Sequence, residues 1–461
     1  MVRISRRRRI ITALTAGTSA DVRFTESDMI SRRDFLGAST LAAAGAALGP
    51  ASTLAGQAHA EAQQALPPSI ARLTSRAAEA KPITVEERAA RVEQAKRLMR
   101  QNGLSALYLT GGTSMVYFTG INWGGGERLF AVTIPVDGDP FVVCPYFEED
   151  RAREQLAMGP LKDAKVMTWL EDQSPYALVA QGLKDAGIAT GKIGCEETVQ
   201  FRFSNGLALA APASQVVSGT PVTAGCRGVK SEHEIALMQL ANEVTLTAYK
   251  AAYLALEEGM TQQQFSRLIG QATSRQGFSG YASVQTGEYT ALPHGSITPQ
   301  VVREGTIILI DDGCTVEGYR SDITRTFVLG KATDKMNKVF DIVHSAQAAA
   351  LAAARPGVPA ENVDAAARKV IVDAGYGPDY KYFSHRLGHG IGMDGHEWPY
   401  LVRGNKQPLV AGNCFSDEPG IYIRGEFGVR IEDDMHITAD GARLFTPPPP
   451  SLEDPFGNWP H

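Results

Sequence analysis

Two aspartates in the stretch IILIDDGCTVEGYRSDITRTF (307–327), Asp311 and Asp322, lie symmetrically about Val316 and Glu317, with Gly318 beside the midpoint. Thr306 to Ile310 reads as a buried strand and a second alternating run starts at Ile323. A hairpin between them is expected to set Asp311 and Asp322 opposite each other. Two carboxylates pressed together repel unless a proton or a cation separates them. The device repeats in FSDEPGIYIRGEFGVRIEDD, where Glu418 and Glu432 lie symmetrically about Gly425. Between the hairpins, HRLGHGIGMDGHEWP brings His385, His389 and His396 into a glycine-rich segment. Four carboxylates with one or two imidazoles are the donor set of a dinuclear divalent-metal site. A lone carboxylate is usually a solvated surface group; two matched hairpins around a histidine cluster are not explained that way.

An internal repeat carries the hairpins. EEGMTQQQFSRLIGQATSRQGF aligns with ARPGVPAENVDAAARKVIVDAGY, so that Gly259 meets Gly357, Phe265 meets Val363 and Gly277 meets Gly375, all 98 positions apart. Asp311 then meets Glu418 and Asp322 meets Glu432, at offsets of 107 and 110. Each half reads helix, helix, histidine-bearing loop, carboxylate hairpin, which predicts two halves related by a pseudo-twofold axis and enclosing the site. Strand alternation turns Asp312 and Asp433 away from the faces of Asp311 and Glu432. It keeps Arg430 on the face of Glu432, where it can orient that carboxylate or meet a substrate carboxylate.

With DDGC…GYRSDITRTF, HRLGHGIGMDGHE and DEPGIY…GVRIED in view, residues 230–446 resemble the pita-bread metallopeptidases: methionine aminopeptidase, aminopeptidase P and prolidase. The resemblance implies that Asp311, Asp322, His389, Glu418 and Glu432 bind two metal ions, with Asp322 and Glu432 bridging them. It implies an attacking hydroxide held between the ions, with Glu418 as proton shuttle. His294, in LPHGS, matches a substrate-side histidine, and His396 a histidine at the scissile carbonyl. His385 matches one near the leaving group, and Tyr422 a tyrosine beside the metals. Creatinase shares this fold but lacks the ligand set. Oxygen-rich ligation suits manganese and also accepts cobalt, zinc or iron. The expected reaction is hydrolysis of the Xaa-Pro bond at a peptide N-terminus, as an Xaa-Pro aminopeptidase or Xaa-Pro dipeptidase. Open alternatives are another amide substrate, a metal-dependent dimethylsulfoniopropionate lyase, whose relatives carry altered spacing and an extra aspartate at the first hairpin, and a non-catalytic binding module.

The rest of the chain must position this site. Thr84 with Glu87 makes a capping box that opens a helix to about Asn102. Strand-like runs follow in SALYLT, VYFTG, RLFAVTIP and DPFVVCP, the last two joined by a turn at Asp137–Gly138. A helix at 148–158, a strand at 165–169 and a helix at 176–186 complete an α/β domain over 82–222. It resembles the creatinase-like N-terminal domain of aminopeptidase P, prolidase and creatinase, which in one subunit often helps close the site of its neighbour, so the resemblance implies a homodimer. A second capping box, Ser231 with Glu234, opens an amphipathic helix of about 28 residues and the α+β domain over 229–446. His233 reads as a solvated helix-end histidine, and His344 and His436 as structural. Residues 61–81 read as a linker and 447–461 as a Pro-rich tail extended over the surface.

Residues 31–60 resemble a twin-arginine export signal: Arg32 and Arg33 before Phe35 and Leu36, a weakly apolar Ala/Gly run, and an A-x-A site at Ala58–Ala60. That run is too weakly apolar for a stable membrane anchor, so a periplasmic or secreted protein beginning at Glu61 is expected. Met29 stands two residues before the signal and is the expected start. A net charge of −5, with no basic run beyond the N-terminus, gives no footprint for nucleic acid. The five cysteines lack metal-ligand spacing and read as core thiols.

Overall fold

The computed structural model of the protein describes residues 65–460. The export signal and the Met29 start lie outside the described residues. The N-terminal domain is built on a mixed six-stranded sheet of β1 (Ala106–Thr110), β2 (Ala131–Pro135), β3 (Phe141–Pro145), β4 (Lys165–Trp169), β5 (Gly191–Cys195) and β6 (Ser214–Ser218), in the order β4-β3-β2-β1-β5-β6. Every residue of β1, β2 and β3 is buried because helices cover both faces. Leu107, Leu109, Val132 and Val142 pack with α1 (Val85–Asn102), α2 (Thr113–Thr119) and α3 (Glu149–Ala157). Ala106, Tyr108, Ala131 and Val143 point the other way, toward α4 (Pro175–Asp185) and α5 (Phe201–Ala210). The Thr84 capping box is present, with both reciprocal hydrogen bonds made.

VYFTG was expected as a strand and is the end of helix α2. A short apolar run has the same composition in a buried helix and a buried strand. Here Gly120, at φ 78°, stops the helix after two turns.

Helix α6 (Thr220–Arg227) leads from this domain into the second one. Its first helix, α7 (Glu232–Tyr253), starts at the Ser231 capping box and spans 22 residues, shorter than expected. It packs on α8 (Gln262–Arg275), and α9 (Asp334–Ala353) packs on α10 (Ala360–Asp373). Helices α8 and α10 are both 14 residues long and keep the offset seen in sequence. Their flanking glycines share a left-handed backbone: φ is 92° at Gly259 and 84° at Gly357, then 90° at Gly277 and 91° at Gly375. Phe265 and Val363, the aligned core residues, are both fully buried.

The strands of the second domain fall into matching groups. In the first half, β7 (Ser279–Gly280) and β8 (Ser283–Thr286) flank the hairpin of β9 (Ile307–Asp311), β10 (Cys314–Val316), β11 (Tyr319–Arg320) and β12 (Arg325–Val328). In the second, β13 (Gly388–Gly390) and β14 (Glu397–Leu401) lead to β15 (Cys414–Asp417), β16 (Gly420–Ile423), β17 (Phe427–Arg430), β18 (Asp433–Ile437) and β19 (Ala442–Leu444). The fold is therefore a creatinase-like α/β domain followed by a pita-bread α+β domain.

Three peripheral expectations are corrected. The C-terminal tail does not lie loose on the surface. Leu452 and Phe456 are buried in two separate cores, and the Trp459 indole donates to Thr247 Oγ1 at 3.1 Å. Residues 65–81 do more than link: Ile70 and Leu73 are buried against Ala248, Ala251 and Ala272 of α7 and α8. His233 is not a free helix-end histidine. Its Nδ1 pairs with Glu87 Oε1 at 2.8 Å and its Nε2 meets the Lys81 carbonyl at 3.0 Å, so it joins the two capped helix ends. All five cysteines are unpaired and buried. Among the described residues no helix is long and apolar enough to cross a membrane.

Candidate metal centre

Register decides where each carboxylate stands. In the second hairpin Cys414 pairs with His436, Asp417 with Asp433, and Gly420 with Arg430, so the axis falls on Gly425 and Glu418 lies directly across from Glu432. The first hairpin departs from expectation by two residues. Val316 pairs with Tyr319 and Ile310 with Arg325, which moves the turn to Glu317–Gly318 and puts Thr324 across from Asp311. Both turn residues have positive φ, 50° and 86°, the conformation of a two-residue hairpin turn. A shift of two preserves the side-chain face, so Asp311 and Asp322 still share one side of the ribbon, as diagonal neighbours.

His389 reaches the carboxylates because its neighbours are glycines. A Cβ on Gly388 would sit 2.0 Å from the Ser416 carbonyl oxygen, and one on Gly390 2.5 Å from that of Glu397. Without side chains there, β13 closes tightly between β14 and β15. The His389 Nδ1–H donates to the Gly390 carbonyl at 3.2 Å, leaving the Nε2 lone pair 3.4 Å from Glu418 Oε1 and 3.9 Å from Asp322 Oδ2. Burial and the neighbouring His396 push this imidazole down to about 3, so it is neutral. Ligand atoms of Asp322, His389 and Glu432 all lie within 4.8 Å of one another.

Thr324 exposes the shortage of positive charge. Its Oγ1 lies 2.7 Å from Asp311 Oδ1 and 2.6 Å from Glu432 Oε2, and accepts from Arg430 Nε at 2.9 Å. One hydroxyl carries one proton, so only one of those carboxylates can receive it. Burial, then the charges of Asp322 and Glu418, push Glu432 well up; burial and Asp311 do the same to Asp322. A lone pair and several carboxylate oxygens aimed at one spot, with too few protons between them, fit divalent cations. Asp311, Asp322, His389, Glu418 and Glu432 are the residues that would hold them.

The remaining candidates surround this cluster. Arg430 is buried beside Glu432, its Nε 4.0 Å from Oε2, but its closest ion pair is with Asp311, Nη2 to Oδ2 at 2.6 Å. Its other N–H groups reach the Pro293 carbonyl and the Tyr422 hydroxyl. Burial pushes Asp311 up, yet Arg430 and Thr324 outweigh it and hold the carboxyl below its usual value. The Tyr422 hydroxyl donates to His385 Nε2 at 2.7 Å, and His385 Nδ1–H donates to the Arg386 carbonyl at 2.8 Å. His396 is exposed and stacks on His389, ring centroids 3.6 Å apart. His294 is also exposed, next to Pro293; burial lowers both His385 and His396. Asp312 lies past the end of β9 at φ 131°, so strand alternation does not set its direction; its carboxylate meets Tyr281 and burial pushes it up to about 6. Asp433 turns away from the cluster to Arg325, at 2.6 Å.

Two supporting residues were not singled out in sequence. Thr324 is two residues past Asp322, so alternation alone places it on the ligand face. Asp434 accepts from the Asp322 backbone N–H at 2.9 Å and from Asn242 at 3.0 Å, a long-range pairing with no local signal.

Residues 236–439 match Metallopeptidase family M24, and residues 91–229 the Creatinase/Prolidase N-terminal domain. An Xaa-Pro dipeptidase of Lactobacillus delbrueckii subsp. lactis is 34% identical over 361 residues, 77% of this chain and 96% of the relative. The chain belongs to metallopeptidase family M24. Among solved structures, the dipeptidase PepE of Mycobacterium ulcerans superposes with a TM-score of 0.76 at 34% identity, covering 81% of this chain and 99% of that one. A prolidase from Thermococcus sibiricus does so at 0.71 and 29% identity, covering 80% and 98%. The protein is thus an M24 metallopeptidase, a hydrolase whose family uses divalent metal ions. The lyase and binding-module readings are not favoured.

Proposed function

We propose that the protein is an Xaa-Pro dipeptidase working with two divalent metal ions, manganese by preference. The observation that carries this is the convergence of the neutral His389 lone pair with Asp322, Glu432 and Glu418, in a chain whose relatives include Xaa-Pro dipeptidases. When bound, the ions would activate the attacking water and polarise the peptide carbonyl. Glu418, pushed up to about 8 in their absence by burial and by Asp311, is placed to take the water proton and return it to the proline nitrogen. His396 and His294, both exposed beside the cluster, would contact the substrate carbonyl side. The neutral His385, oriented by Tyr422 and Arg430, would face the leaving group.

Export through the twin-arginine route would let the protein acquire metal in the cytoplasm before release, and a homodimer is the proposed assembly. The test uses residues 61–461 reconstituted with Mn²⁺ and followed by mass spectrometry on Ala-Pro, an Xaa-Pro-Xaa tripeptide and Ala-Ala. Cleavage of Ala-Pro alone is expected. Release of the first residue from the tripeptide would make it an Xaa-Pro aminopeptidase, and inertness toward both with metal bound would sink the Xaa-Pro reading.

A further inference from the structure

The segment that carries His396 is held from the other domain. Asp394, two residues before it, accepts from the Thr113 hydroxyl at 2.6 Å and pairs with Arg227 Nη2 at 2.5 Å. Glu397, the residue after it, pairs with the same Arg227 nitrogen at 2.5 Å and with Lys230 Nζ at 2.5 Å. Trp398 donates its indole N–H to Glu197 at 3.2 Å. Thr113 and Glu197 belong to the N-terminal domain, at the start of α2 and just after β5, and Arg227 ends α6, whose Val222 and Cys226 pack into the core of that domain. Arg227, Lys230 and Glu397 are buried with side-chain exposures of 10, 1 and 8%. Such an arrangement costs desolvation and is weak evidence for stability, but it specifies geometry. The His396 ring, by contrast, makes no hydrogen bond to the side chains or backbone of the described residues and rests on His389 by stacking.

We infer that Arg227 is a positioning residue for His396. By gripping Asp394 and Glu397 on either side, it registers the imidazole over His389 and makes the reach of that histidine depend on how the N-terminal domain is docked. Glu196, 4.0 Å from Arg227 Nη1, and the Ser114 hydroxyl, 3.3 Å from it, complete the N-terminal side of the grip. The kinetic arm of the test rests on the proposed peptidase reading; a structural arm does not.

The experiment is a double-mutant cycle on Ala-Pro hydrolysis with Arg227→Gln, His396→Ala and the pair, with bound Mn²⁺ measured in each. Arg227→Gln is expected to lower kcat about tenfold or more with metal content unchanged, Arg227→Lys to regain part of it, and the double variant to match His396→Ala alone. In parallel, amide hydrogen exchange over 391–397 should accelerate in Arg227→Gln. An equal fold-loss in both His396 backgrounds, or unchanged exchange with unchanged kcat, overturns the inference. If the wild-type protein cleaves no Xaa-Pro peptide, the functional reading falls and the exchange result alone decides. Should Arg227→Gln not fold, Thr113→Val removes only the 2.6 Å contact to Asp394 and carries the same cycle with a smaller effect.

Discussion

The guanidinium of Arg430 closes on Asp311, Nη2 to Oδ2 at 2.6 Å, inside the cluster of carboxylates. The same side chain steadies Thr324 and the Tyr422 hydroxyl, so one buried cation orders both the ligand hairpin and the His385 arm. Replacing it by Gln strands a partly buried carboxylate. Arg430→Gln should destabilise the metal-free protein by about 3 kcal/mol, and saturating Mn²⁺ should recover part of that by binding only the folded chain. Denaturant unfolding with and without Mn²⁺ checks it; an unchanged metal-free midpoint would count against the charge argument.

Glu418 and Asp312 are both carboxylates at the site with opposite expected sensitivities. Glu418→Gln keeps the shape but cannot accept the water proton, so turnover should fall by at least about a hundredfold. Asp312 faces Tyr281 and is not part of the convergent cluster, so Asp312→Asn should keep most metal and most activity. Metal analysis beside kcat separates the two; loss of metal in Asp312→Asn would refute its exclusion from the ligands.

The metal-free protein should lose stability as pH rises above 6.5. Burial pushes Glu418 and Asp434 up to about 8, so the folded chain keeps protons that the unfolded chain, with ordinary carboxyls, has already released. Their contribution is full below the unfolded values and disappears as pH rises through about 8. Buried His385 and His389, pushed down to about 3, act in the opposite sense but only below their ordinary 6.5. Unfolding midpoints of the metal-free protein between pH 6.5 and 8 should therefore fall, and Mn²⁺ should flatten the part due to Glu418. A rising metal-free profile would contradict the assignment.

The C-terminal tail is structural. Phe456 is buried among Tyr253, Phe265 and Phe327, so Phe456→Ala should cost about 3 kcal/mol. Thermal unfolding of this variant, with metal content unaffected, is the check; a midpoint equal to that of the wild type would mean the tail contributes nothing.

Much of this protein was legible before folding because its signals are local or repeated. The capping boxes at Thr84 and Ser231, the glycine-flanked helices α8 and α10, and the hairpin axis at Gly425 each depend on residues a few positions apart, where backbone geometry follows from residue type. The carboxylate faces survived even a mistaken turn, since a two-residue slip returns a side chain to the same side. Helix α2 was misread because burial erases the difference between an apolar helix and an apolar strand. Tertiary structure alone decided the rest: that Arg430 spends its charge on Asp311, that Asp434 holds the backbone of Asp322, that Leu452 and Phe456 are core residues, and that Arg227 of one domain grips the loop of His396 in the other. Those contacts join residues more than a hundred positions apart, or depend on which groups are left unpaired once water is excluded, and no spacing along the chain encodes them.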